Sequence, residues 1–178
     1  CSSDLFGRPV PWTSYTTILI DDVPYVFGGE NKKLRKRKSK DVQYGKVVFQ
    51  DIQGDAIITE CLLGPLLVTQ TLTFYRNPNT KVNDTALISY KMINTDTKDH
   101  TVGVRVMMDT KLGSNDGAPF RIGNEAVNNE VKFLKEGLFD YWQTFDSLSS
   151  PNVIAQGTLK VSDSAFRSEE HTSELQSP

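Results

Sequence analysis

The chain reads as all-β, an antiparallel β-sandwich. Three observations predict this. Apolar and polar residues alternate with period two in segment after segment, as in 66–76, where Val68, Leu72 and Phe74 share one side. The segments are short and rich in Val, Ile, Thr, Tyr and Phe, which suit a pleated, half-buried surface. Turn residues such as Asp21-Asp22, Gly54-Asp55 and Gly64-Pro65 stand between them. No long window carries a capped stripe of period 3.6, and 130–138 is the one stretch with a weak helical pattern.

The elements follow in order. Residues 14–20 (SYTTILI) and 25–27 flank Asp21-Asp22-Val23-Pro24, which is strand, tight turn, strand. Residues 46–52 (KVVFQDI) and Ala56–Leu63 flank the Gly54-Asp55 turn in the same way. Gly64-Pro65 ends that strand, and Leu66–Arg76 begins the next. A polar turn over 77–83 leads to the strand 86–94, and a second one over 95–100 leads to 101–109. In that last strand Val102, Val104, Val106 and Met108 fall on one side. Later strands are expected at 126–133, Tyr141–Phe145 and 152–159. No internal repeat is present.

Composition narrows the class. A chain of 178 residues has room for a real hydrophobic core without staples. Charged residues at 24% and hydrophobic ones at 38% fit a globular protein and exclude collagen, coiled coil and wholesale disorder. No apolar run approaches the roughly 20 residues of a membrane helix.

The two ends resemble oligonucleotide rather than gene. Residues 167–177 (RSEEHTSELQS) resemble the translation of a short-read sequencing adapter, and Cys1-Ser2-Ser3-Asp4-Leu5 resembles the same oligonucleotide read on the opposite strand. Residues 1–5 and 167–178 are therefore expected to be adapter-derived scars. On that reading 6–166 is one β-sandwich domain fragment, truncated on both sides as a metagenomic fragment would be, with no start or signal peptide to be seen. The alternative is a genuine terminus, in which Cys1-Ser2-Ser3 is the lipid-modified start of a bacterial lipoprotein. Without the scars the net charge of −2 moves close to neutral, and Cys61 and His100 remain as the lone cysteine and histidine. Cys61, flanked by Glu60, Leu62 and Leu63, reads as a buried structural thiol.

The stretch 93–120 (INTDTKDHTVGVRVMMDTKLGSNDGAPF), with 141–146 (YWQTFD) and 153–159 (VIAQGTL), resembles an uncharacterised group of bacterial envelope or secreted β-sandwich proteins. More broadly, a strand, Asn94, a polar turn and then His100-Thr101-Val102-Gly103-Val104-Arg105 is similar to the supersandwich of galactose-mutarotase-like proteins. The resemblance implies export to the periplasm, cell surface or medium. It also implies a setting of sugar epimerases and polysaccharide-processing enzymes, although a fold alone does not give a function. No catalytic residue carries over. Epimerases of that fold use a histidine acid and a glutamate base, whereas His100 sits in a turn beside Asp99.

Three constellations can carry chemistry. The segment 109–123 (DTKLGSNDGAPFRIG) is a glycine-rich loop with a strong turn at Asn115-Asp116-Gly117. Asp109, Asn115 and Asp116 offer hard oxygen ligands that suit Ca²⁺, although their spacing is not that of an EF-hand; the bland reading is a loop held by Asx turns. The second is aromatic: Trp12, Tyr15, Phe139, Tyr141, Trp142 and Phe145, with Asp116, Asp140, Arg121, Gln143 and Asp146 nearby to hydrogen-bond sugar hydroxyls. Sandwich core is the bland role for such aromatics. The third is the basic run Lys32, Lys33, Arg35, Lys36, Arg37, Lys38 and Lys40, which suits a polyanion but lacks interleaved aromatics for reading nucleic acid. Its bland reading is a solvated loop. Nucleotide-binding and hydrolase motifs are missing from the sequence, and a carboxylate pair among Glu30, Glu60, Asp109 and Asp146 is left to the fold.

The expectation is a non-catalytic, exported module that binds carbohydrate or plays a structural part. Its ligand-binding residues are Asp109, Asn115, Asp116, Arg121, Trp142, Gln143 and Asp146, and no cofactor beyond Ca²⁺ is considered. The alternatives are a fragment of a mutarotase-like or polysaccharide-processing enzyme, and a polyanion binder acting through 32–40.

Overall fold

The computed structural model describes residues 14–29, 42–127, 129–133 and 139–158. The described residues are all-β with antiparallel sheets and no helix. The chain divides into two compact units, one within Val10–Met108 and one within Asp109–Pro178.

The first unit holds two four-stranded sheets. One has β1 (Tyr15–Ile20), β2 (Val23–Val26), β3 (Gln43–Tyr44) and β8 (Val102–Met107), in the order β3-β2-β1-β8. The other has β4 (Lys46–Gln53), β5 (Ala56–Leu63), β6 (Leu66–Arg76) and β7 (Asn83–Asn94), in the order β4-β5-β6-β7. The short β2–β3 contact is parallel and every other pairing is antiparallel.

The turns are those the residues dictate. Asp21 and Asp22 both take positive φ, 47° and 66°, the requirement of a type I′ hairpin turn. Gly54 (φ 59°) and Gly64 (φ 54°) each take the first position of a two-residue turn, which favours glycine. At Gly64 space adds a second reason, because a Cβ would come within 2.7 Å of the Tyr25 hydroxyl. Pro24 pairs with Leu19 across the hairpin, and β3 begins its pairing only at Tyr25. Its missing N–H therefore removes no ladder bond.

The core lies between the two sheets. Ile18 and Ile20 from β1 meet Cys61 and Leu63 from β5 and Leu66 and Val68 from β6, all buried. Tyr25, Phe27, Tyr90, Met92 and Val102 pack around them. Two facing layers with interdigitated apolar rows make this unit sandwich-like. A polar bridge crosses the same gap. Gln70 donates to the Tyr90 hydroxyl at 2.7 Å, and the same hydroxyl is hydrogen-bonded to Thr16 Oγ1 at 2.6 Å. Cys61 is fully buried and free, and burial pushes its thiol up, as befits a packing residue.

Register bears out the period-two faces but not all of the burial they suggest. Val104 pairs with Ile18 and Val106 with Thr16, so both point to the core side. They are nonetheless 44% and 47% exposed, because β8 is the edge of its sheet. The strand expected at 126–133 is shorter, and the weak helical pattern at 130–138 gives no helix among its described residues.

The second unit holds the third sheet. It comprises β9 (Phe120–Ile122), β10 (Glu125–Val127), β11 (Tyr141–Phe145) and β12 (Ile154–Thr158), in the order β10-β9-β11-β12.

Candidate ligand-binding face of the small sheet

Successive residues of a strand point to opposite faces, and cross-strand partners share one. In the small sheet Arg121 pairs with Gln143, and Gln143 with Gln156. The three therefore form one polar row across β9, β11 and β12. Gln143 Nε2 donates to Gln156 Oε1 at 3.0 Å. Tyr141, paired with Thr158, stands two residues along the same face and is 39% exposed. Phe145 lies at the other end of that face, 7% exposed, and the Arg121 guanidinium sits 5.8 Å from its ring centroid. The result is a strip of guanidinium, amides and one phenol across the sheet, exposed at Arg121, Tyr141 and Gln156 and half-buried at Gln143.

The opposite face is built from Phe120, Ile122, Trp142, Thr144 and Gly157. Trp142 pairs with Gly157, where a Cβ would drive into the indole ring. The glycine lets the ring lie flat on the neighbouring strand, a known way of covering a strand glycine. Phe120 packs on it at 5.6 Å with a 45° tilt. Trp142 is thus separated from Gln143 and Arg121 by the thickness of the sheet. The sequence places these three in one recognition surface; the alternation of β11 divides them.

The loop residues are held by other partners. Leu112 and Asn115 exchange backbone bonds of 3.1 and 2.9 Å around a tight turn. Asn115 Oδ1 accepts from Gly117 N at 2.9 Å, and Asn115 Nδ2 donates to the carbonyl of Asp146 at 2.9 Å. Asp146 Oδ1 accepts from the N–H groups of Val153 (3.1 Å) and Asn152 (2.9 Å). These bonds, Val153 foremost, hold its carboxyl below the usual carboxylate range. Asn115 and Asp146 thereby tie the loop to the turn between β11 and β12. Asp109 is half-buried at the loop's start, and Asp116 is exposed at its tip. No three His, Cys, Asp or Glu side chains gather in metal-binding geometry among the described residues.

Other sequence-predicted groups fall elsewhere. Glu60 accepts from Thr69 Oγ1 at 3.2 Å across β5 and β6. Trp12, Glu30 and the basic residues Lys32, Lys33, Arg35, Lys36, Arg37, Lys38 and Lys40 lie outside the described residues. His100 is clasped between two turns. Its Nδ1 donates to Asp21 Oδ2 at 2.5 Å and its Nε2 to Asp96 Oδ2 at 3.3 Å. Carboxylates only accept, so both ring nitrogens must donate and the imidazolium fits the site. The Asp21 bond is the main cause that raises the His100 pKa above its ordinary value. A ring with both nitrogens occupied has no free edge for acid–base work.

Gln156 is the member of the polar row that sequence reasoning misses, and Tyr141 the one it names without weighting. The period of two in 154–158 was legible, but the side that faces outward is set by pairing with β11. In Ile154–Thr158 the outward positions are Ile154, Gln156 and Thr158, and the intervening Gly157 marks the side on which an aromatic lies. No protein-family model, no curated protein and no solved structure matches the chain, so the site stands on its own geometry.

Proposed function

We propose that this chain is a carbohydrate-binding β module of an exported protein, and that it takes a glycan on the face carrying Arg121, Tyr141, Gln143 and Gln156. The observation that carries the reading is the in-register row Arg121–Gln143–Gln156 beside the exposed ring of Tyr141. Sugars present hydroxyl edges and C–H faces. Planar amides and a guanidinium hydrogen-bond the edges, and an aromatic ring takes a C–H face. Strands hold these groups at fixed spacing, so little ordering is needed on binding. The row lies across open strands, which suits holding a chain better than enclosing a reacting bond. Export rests on the resemblance of 93–120 and 141–146 to envelope proteins.

Affinity electrophoresis against a panel of soluble polysaccharides tests the reading. At least one should retard the protein, and Tyr141→Ala and Gln143→Ala should each weaken that retardation about tenfold with the fold intact. Retardation by no polysaccharide, or by one that both variants still bind fully, would remove it. The basic run 32–40 supports a second reading, contact with a polyanion through charge. Steep loss of heparin binding with salt, abolished by neutralising that run, would favour it.

A further inference from the structure

We infer that the ligand of this face is an acidic glycan, with a uronate carboxylate seated on Arg121; the inference rests on the glycan-binding reading above. Arg121 is the one charged side chain in the paired rows of this face, whose other members are Ala126, Tyr141, Gln143, Phe145, Ile154, Gln156 and Thr158. Among the described residues it has no carboxylate partner. Its contact is instead the ring of Phe145, which is buried and therefore fixed. A guanidinium drawn to an aromatic ring by cation–π attraction spends no N–H donor on it, so its N–H groups stay available to other partners. Their fork matches the two oxygens of a carboxylate, and the pair forms parallel charge-assisted bonds. The adjacent amides then meet the ring hydroxyls of the same or the next sugar. With Gln143 donating to Gln156 Oε1, the Gln156 amide N–H₂ is left as a further donor of the row. The row is thus rich in donors and carries a positive charge, which suits a sugar that offers oxygens and a negative one. A neutral glycan would leave the guanidinium without its best partner.

The experiment compares trigalacturonate with its fully methyl-esterified form, which has the same shape and no charge. A short oligomer keeps avidity for the basic run 32–40 small, and calorimetry on the whole chain gives the affinities. The wild type should bind the acid about tenfold more tightly than the ester, the lower end for a charge-assisted bond. Arg121→Gln should erase the preference with an unchanged thermal melt. Arg121→Lys should restore only part of it, because it keeps the charge and loses the fork. Equal binding of acid and ester, unaffected by Arg121→Gln, overturns the inference and leaves the glycan-binding reading intact. Binding of neither, together with no retardation by any polysaccharide, overturns both. Hexaglutamate serves as the control for bare charge; if it binds as tightly as trigalacturonate, the face recognises acidic chains rather than sugars and the inference falls.

Discussion

At the scale of single residues, the small sheet turns on a glycine and an indole. Trp142 was a candidate sugar platform, and in the structure it covers Gly157 and packs on Phe120. Removing it should therefore cost stability before it costs binding. Trp142→Ala is expected to destabilise the small sheet by about 2–3 kcal/mol, toward the low side of large-to-small changes because the ring is half-buried. Gly157→Ala should be destabilising too, since its methyl meets the ring. Urea melts followed by circular dichroism check both. A Trp142→Ala protein that melts like wild type while losing glycan binding would return the indole to the recognition surface. The alternation that separates Trp142 from Gln143 was legible in the sequence. Which face was closed was not, because that depends on the partner strand and on Gly157 at the paired position.

At the scale of elements, the His100 clasp joins the β1–β2 turn to the connection between β7 and β8. Asp21 serves it twice, accepting from the His100 ring through Oδ2 and from Thr101 N at 2.9 Å through Oδ1. Asp21 N in turn donates to the carbonyl of Thr101 at 3.0 Å. The charged groups of the two turns are Asp21, Asp22, Asp96, Lys98 and Asp99. The His100 pKa is raised, so its contribution is full below 6.5 and is lost as pH rises through the raised value. Asp21, through His100, and Asp96, through the N–H of Thr97, are lowered, so their contribution is present above 3.8 and is lost as pH falls through the lowered values. The clasp is therefore strongest in the acidic window between those limits. Denaturant midpoints should fall from about pH 5.5 to about pH 8.5 in the wild type. His100→Gln should flatten that fall; an unchanged slope would show that the clasp adds nothing.

The hairpins are where sequence served best. Gly54-Asp55 and Gly64-Pro65 mark turns that the structure places at those positions. The first turn is only Asp21-Asp22, because Val23 and Pro24 already belong to β2. Leu66–Arg76 is one strand with the expected bounds, although its burial alternates only at its start. β3 and β9 have two and three residues, too few for a period to register. The pairing of β1 with β8 joins distant parts of the chain, and alternation carries no information about which strand lies beside which. The exposure of Val104 and Val106 follows from that pairing, since it leaves β8 at an edge.

At the scale of the whole molecule, the all-β class follows from composition and periodicity, and the division into two units does not. Nothing in residues 107–110 (MMDT) reads as a linker, yet internal contacts separate Val10–Met108 from Asp109–Pro178. The first unit is organised by its buried core and the second by a small sheet with one packed face and one polar face. The polar row was only partly legible. Arg121 and Gln143 are visible as polar residues in strands, but their adjacency, and the arrival of Gln156 beside them, are products of register.

The central claim is that the polar face of the small sheet receives the ligand, and side-chain NMR tests it most directly. During titration with trigalacturonate or with any polysaccharide fragment found to bind, the side-chain amide signals of Gln143 and Gln156 and the Nε–H signal of Arg121 should move together and saturate. The Trp142 indole N–H, on the opposite face, should stay in place. Movement of the indole with the amide signals unmoved would contradict the assignment of the face.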